Sequence, residues 1–259
     1  MLARAGLGSR RELEGWIEEG RVTVNGELAR IGDRVSARDA IRVDGRPLPD
    51  AGRRPGLPRV LRYHKPVGEV CTRRDPDGRP TVFERLPAVR GRRWIAVGRL
   101  DVNTSGLLLF TDSGELAHRL MHPSGQVARD YAVRVYGTVT PEQLEQVSSG
   151  VELEDGMARF EDLRDEGGEG RNHWYRVTLR EGRNHLVRRL WASQGVEVSR
   201  LSRVRFASVE LPRRLRAGRW EDLPAVEVRA LLAAVGMESP PPDPPRPRRA
   251  APRGRHPRR

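Results

Sequence analysis

The residues Leu107-Leu108-Leu109-Phe110 stand in a row with no polar interruption, between a polar turn at residues 102–105 and the polar residues 111–113. A strand with one wet face alternates apolar and polar side chains, so an unbroken short run suits a strand covered on both faces. Trp94-Ile95-Ala96-Val97 is a second such stretch, and it runs into Gly98-Arg99-Leu100-Asp101. Asp101 therefore lies on a loop between two buried strands, where a rigid scaffold can hold a carboxylate as nucleophile or base. On the residues alone, an Asp in a turn is more often a turn former than a catalytic group. Val60 to Tyr63 reads as a further strand, ended by Lys65-Pro66 and Gly68. Asp112 and Glu115 have capping-box spacing for a helix through Leu116, Leu120 and Met121.

Upstream lies a smaller pattern. Ser9 and Glu12 have capping-box spacing, Leu13, Trp16 and Ile17 share one helical face, and Gly20 is a natural stop. Arg10 and Arg11 fall in the first turn, where they oppose the helix dipole, a weak sign that they serve a ligand. Val22 and Val24 alternate with polar neighbours ahead of Asn25-Gly26, and Ala40, Ile41 and Val43 suggest a strand ahead of Asp44-Gly45. Pro47, Pro49, Gly52, Pro55, Gly56 and Pro58 then crowd twelve positions, too many breakers for an ordered element. Residues 48–58 are expected to be a flexible tether. Residues 236–259, with eight Pro and seven Arg, are expected to be a disordered tail.

Charge divides along the same lines. Of the formal +13, residues 1–47 carry +1 (nine Arg, eight acids), residues 236–259 carry +5 (seven Arg, two acids) and the rest carries +7. A polyanion is the partner that such a balance suggests. All but one of the 48 cations are arginine, Lys65 being the only lysine, a bias that a GC-rich genome alone would favour. No run of 18 apolar residues predicts a membrane span, and Met1 to Gly20 lacks the apolar core of an export signal. A lone cysteine, Cys71, excludes a disulfide framework and a cysteine-based zinc site. A soluble, cytoplasmic protein is expected.

Tyr131 alternates with Val133 and Val135, a pattern that by itself favours a core ring. Arg188 and Arg189 follow Gly182-Arg183 on a predicted helix whose apolar side is Leu186, Val187, Leu190 and Trp191. His118 and His122 lie four apart on a helix, but no third ligand lies nearby in sequence, so a helix-end role is expected and no metal. EDLRDEGGEG at 161–170 reads as a polar loop.

The stretch LARAGLGSRRELEGWIEEGRVTVNG resembles the S4 RNA-binding domain, with a first helix confined to Met1–Ala5 where family members carry several more residues. By that resemblance Ser9, Arg10, Arg11 and Arg21 would face RNA phosphate. GRLDVNTSGLLLFTDSGELAHRLMHP is similar to the signature of the pseudouridine synthases that modify ribosomal RNA. YHKPVGEVCT at 63–72, RDYAVRVYG at 129–137 and EGRNHLVRRLWASQGVEVSRL at 181–201 occur in that family's order. The first module, RRDPDGRPTVFERLP and the Arg-rich tail look nearest the branch that acts on the large subunit.

The resemblance implies an α+β catalytic fold with a central, mostly antiparallel sheet at residues 59–235, preceded by a small S4-like α/β module at 1–47. It implies Asp101 as the catalytic carboxylate, Tyr131 against the base, Arg188 paired with Asp101 to keep it ionised, and Arg99 in support. Lys65, Arg183 and Asn184 would contact RNA. Uridine would lose its N1–C1′ bond, turn its ring and rejoin through C5, with the carboxylate attacking C1′ or C6 or assisting cleavage. No cofactor is required. The implied substrate is a uridine in the peptidyl-transferase region of 23S rRNA, and the chain is expected to be a monomer. A 16S rRNA synthase, which shares every motif, and a non-catalytic RNA-binding or ribosome-assembly factor remain open.

Overall fold

The computed structural model describes residues 1–2, 5, 7–8, 10–36, 38–48, 56–89 and 92–240. Ser9, most of the expected tether and the tail beyond residue 240 lie outside the described residues.

Among the described residues, the first module has one helix, α1 (Arg10–Glu18), against four short strands: β1 (Val22–Val24), β2 (Glu27–Leu28), β3 (Ile41–Val43) and β4 (Arg46–Pro47). They pair antiparallel in the order β2-β1-β3-β4. Asn25-Gly26 and Asp44-Gly45 turn the two hairpins with positive φ at all four residues, the twist that two-residue hairpins need. Leu13, Val22, Ile41 and Leu48 are buried between the layers, with Trp16 and Ile17 packed against them.

The body begins with β5 (Val60–Lys65), β6 (Ile95–Val97), β7 (Ser105–Thr111), α2 (Gly114–Met121), β8 (Arg129–Tyr136) and α3 (Pro141–Ser149). It continues through the hairpin of β9 (Val151–Leu153) and β10 (Gly156–Ala158), then β11 (Asp162–Glu169), β12 (Asn172–Leu179) and α4 (Leu186–Ala192). The last elements are β13 (Glu197–Phe206), β14 (Val209–Glu210), β15 (Trp220–Asp222) and α5 (Ala225–Ala234). A nine-stranded sheet runs β11-β12-β8-β13-β7-β5-β15, with β6 added to β7 and β14 to β13. Every ladder is antiparallel except β13–β7.

Leu107, Leu108, Leu109 and Phe110 are all fully buried on β7. Leu107 and Leu109 face a core shared with α2 and α5, while Leu108 and Phe110 face Tyr63, Val82 and Trp94. The run lacks alternation because both sides of the strand are interior. On the other half of the sheet, α4 buries Leu186, Val187, Leu190 and Trp191 against Val133, Val135 and Tyr175.

The two halves meet at the short parallel ladder Ser202↔Ser105 and Arg203↔Gly106. Gly106 has φ of +110°, and a Cβ there would stand 2.3 Å from the carbonyl oxygen of Arg203. No other residue permits the backbones to come this close.

Two local expectations are corrected. The segment 161–170 is not a loop: residues 162–169 form β11, an edge strand paired with β12 along a bulge between Asp165 and Gly167. Its charges are satisfied beside it, as in Arg176–Glu166 at 2.6 Å, so a polar composition does not prevent pairing. The N-cap of α2 is Ser113, whose Oγ accepts from the Leu116 amide at 3.3 Å. Asp112 instead accepts from the Arg59 amide and from Arg92. Among the described residues no helix is long and apolar enough to cross a membrane.

Candidate active site

Asp101 sits on the loop between β6 and β7, and that loop is built around Lys65. The Lys65 ammonium, at the end of β5, is fully buried and donates to the carbonyls of Asp101 (2.9 Å), Thr104 (2.8 Å) and Pro66 (3.0 Å). Burial pulls its pKa below the ordinary lysine value, while nearby acids including Asp101 oppose the shift. The Thr104 amide also donates to the Asp101 carbonyl, at 3.0 Å. The backbone of Asp101 is thereby held from two sides, and its side chain projects outward. Lys65 cannot reach RNA, which corrects its expected role as a phosphate contact.

The Asp101 carboxylate is about a third exposed, with its Oδ2 3.4 Å from His185 Nδ1 and 3.5 Å from Thr104 Oγ1. Neither contact is short, so the carboxylate is oriented but remains open to a ligand. Asp101 lines a cavity of about 540 Å³, together with Cys71, Arg99, Tyr131, Arg183, Asn184 and His185. Tyr131 comes from β8 and shares its inward face with Val133 and Val135, both fully buried. Its ring touches the core and lines the cavity, so core packing and a role against a base are compatible.

The expected Arg188–Asp101 pair is not present. Arg188 donates to the carbonyls of Val198 (2.8 Å) and Asn103 (3.2 Å), and its Nε is buried without a partner. It grips the loop two residues beyond Asp101, and the β13 backbone at Val198, rather than the carboxylate. Arg183 is likewise committed: it pairs with Glu181 at 2.7 Å and with Asp155 at 2.9 Å, and also donates to the carbonyls of Gly156 and Met157. That network ties the turn between β9 and β10 to the loop leading into α4, so the expected phosphate contact from Arg183 is withdrawn. Asp155 falls to a pKa of about 2, chiefly through its hydrogen bonds with Arg189 and secondarily through the Arg183 charge. Arg99 is exposed and donates to Asn184 Oδ1 at 3.4 Å, both at the cavity.

In the first module, Arg10 and Arg11 are exposed on α1 and make no ion pair with described residues. Arg21 differs: it forms a two-point contact with Asp44 at 2.9 and 2.7 Å and lies over the Trp16 ring. Its charge is matched here by Asp44 and Glu19. His122 serves a helix end, accepting from the Ser124 amide at 3.3 Å, with the His118 ring in edge contact. Among the described residues no group of three or more His, Cys, Asp or Glu could hold a metal ion.

Sequence reasoning missed His185, Arg129 and Arg203, which all line the cavity. Arg129 lies two positions before Tyr131 on β8, and Arg203 pairs across from Tyr131 on β13. The signal was there: on strands, residues two apart share a face, so Arg129 belonged with the inward Tyr131, Val133 and Val135.

The description RNA pseudouridylate synthase fits residues 59–193, and the S4 domain fits residues 1–41. The chain is 58% identical over 225 residues to the ribosomal large subunit pseudouridine synthase B of Yersinia pestis, covering 86% of this chain and 71% of that one. It is 56% identical over 239 residues to the Escherichia coli (strain K12) protein of the same name, covering 92% and 82%. A solved structure described as a pseudouridylate synthase superposes with a TM-score of 0.61 at 26% identity, covering 89% of this chain and 96% of that one.

Proposed function

This chain belongs to the RNA pseudouridylate synthase family, and from that premise we propose that it converts one uridine of 23S ribosomal RNA to pseudouridine, with Asp101 as the catalytic carboxylate. It is an isomerase with an S4 RNA-binding domain. Its identity to relatives named for the large subunit favours 23S over 16S rRNA as the substrate. We place it in the cytoplasm, where that RNA is made and assembled. We take it to act as a monomer.

One observation carries the reading: the open carboxylate of Asp101 and the ring of Tyr131 line one cavity, reached from two different halves of the sheet. A uridine inside a helix cannot present C1′ or C6 to a side chain, so the nucleotide must be extruded. Tyr131 offers a flat surface for the extruded ring. Asp101, its backbone fixed by Lys65 and its loop gripped by Arg188, meets the sugar or the ring edge without moving. His185 and Thr104 orient the carboxylate. Arg10 and Arg11 on the module at residues 1–47, with Arg99 and Asn184 at the rim, supply contacts to RNA. An assembly factor without chemistry would not need Asp101.

The test is Asp101→Asn protein incubated with 23S rRNA. RNA binding persists and no pseudouridine forms; pseudouridine in that reaction would refute the assignment of Asp101. Mapping pseudouridines in rRNA from a strain lacking this protein then identifies the nucleotide.

A further inference from the structure

The cavity floor holds more positive charge than the fold can use. Arg203 is 2% exposed and Arg129 8%. Neither pairs with a carboxylate. Arg203 donates from Nε to the Leu107 carbonyl at 2.8 Å, and Arg129 from Nη1 to the Val127 carbonyl at 3.0 Å. Both guanidinium groups lie over the same Phe206 ring, at 5.0 and 5.2 Å from its centroid. The Nη2 of Arg203 is shut off from solvent and has no hydrogen-bond partner.

Two like charges buried side by side oppose folding unless something negative joins them. Burial and the Arg203 charge both push the Arg129 pKa down, with Tyr131 and Glu181 opposing. Each carbonyl partner accounts for one donor, and no carboxylate accepts a hydrogen bond from either guanidinium, Glu181 acting on Arg129 only through its charge. The floor therefore presents positive charge that suits an anionic ligand.

We propose that Arg203 and Arg129 cradle the uracil ring in the anionic form it takes once its bond to the sugar is broken. This rests on the proposed isomerisation and adds to it a second pair of groups that touch the reacting base. The N1–C1′ bond breaks with its electron pair left on the ring, whose negative charge spreads over N1, O2 and O4. The ring turns, C5 bonds to C1′, the C5 proton leaves and N1 gains one, so the charge on the ring is transient. Position favours the ring over an RNA phosphate. Arg203 lies directly across the ladder from Tyr131, the surface on which the ring rests, and both arginines are deeper than the exposed Arg99 at the rim. An extruded base enters first, and the phosphates that carry it stay at the mouth. Donors preorganised in a dry site act strongly on charge that develops during reaction.

The test is single-turnover conversion of RNA by saturating full-length wild-type, Arg203→Gln, Arg129→Gln and Arg203→Lys proteins, with RNA Kd measured alongside. The Gln variants should lose on the order of 10²–10³ in rate with Kd little changed, and the Lys variant should recover part of the loss. The same series is run on RNA with 5-fluorouridine at the target, following disappearance of the N1-linked nucleoside. Fluorine withdraws charge from the departing ring, so the Gln deficit should shrink. Full activity in the Gln variants, or equal deficits on both substrates, would overturn the proposal. A loss seen only in Kd would assign the arginines to RNA phosphate and overturn it equally. If Arg203→Gln does not fold, Arg129→Gln carries the same comparison. Wild-type protein without activity would instead refute the isomerase reading.

Discussion

Lys65 donates to the main-chain carbonyl of Asp101 at 2.9 Å, 36 positions away in sequence, from a side chain with no solvent exposure. The one lysine of the chain thus shapes the loop that presents the carboxylate. Three converging carbonyls suit a compact ammonium with three rotatable donors, and a planar guanidinium does not fit them. Lys65→Arg should fold and lose on the order of 10-fold or more in single-turnover rate, through a misplaced Asp101. Lys65→Met leaves the carbonyls unpaired and should lower stability by about 3 kcal/mol in urea unfolding. A Lys65→Arg protein with the wild-type rate would show that charge alone suffices there.

Gly106→Ala tests the junction between the halves of the sheet. The new methyl would meet Arg203 backbone atoms at 2.3 and 2.5 Å, in a backbone conformation that L residues rarely adopt. A destabilisation of about 3 kcal/mol or more is expected, read by thermal or urea unfolding. Gly26→Ala, with positive φ but nothing within 4 Å, should cost about 1 kcal/mol.

Asp155 links Arg183 and Arg189, and so links the turn between β9 and β10 to the loop that carries His185. Its folded pKa, about 2, lies below the ordinary 3.8. The unfolded chain therefore binds more protons in between, and the group stabilises the fold above 3.8 and loses that contribution as pH falls through about 2. Wild type should be more stable than Asp155→Asn near neutrality, with the gap closing in acid. Parallel urea melts at both ends of that range check it, and a gap independent of pH would remove the ion pair as its cause.

Arginines of the first module should divide into two behaviours. Arg10→Gln with Arg11→Gln removes unpaired exposed charges, so RNA affinity should fall and the salt slope of log K should flatten by about 2. Arg21→Gln breaks the two-point contact with Asp44 and the stack on Trp16. It should lower the stability of the module more than it changes the slope. Equal slopes in all three proteins would deny RNA contact to Arg10 and Arg11.

Much of this was legible in the residues. The run at 107–110 announced a strand between two interiors, Asn25-Gly26 and Asp44-Gly45 announced their hairpins, and α4 followed from four apolar positions on one side. Edge strand β11 was hidden, because its acids are matched by Arg176 and His173 of the neighbouring strand β12, which local composition does not reveal. The cations were hardest to read. Lys65, Arg21, Arg183 and Arg188 all looked like ligand contacts or partners of Asp101, yet each is matched by an acid or a carbonyl that arrives from elsewhere in the chain. Arg129 and Arg203 showed the reverse: nothing singled them out in the sequence, and the fold turns both inward. A cation's role is set by the distance to its nearest acceptor, and that distance is a tertiary property.

The close passage at Gly106 also has a consequence in time. Asp101 belongs to the half of the sheet made early in the chain, whereas Arg203 reaches the Leu107 carbonyl from 96 positions downstream. A chain emerging from its N-terminus displays the RNA-holding module and the carboxylate well before the opposite wall of the cavity exists. On the assignment proposed above, such a nascent chain still lacks the wall that holds Arg203, and the cavity is complete only once the last long strand pairs alongside β7.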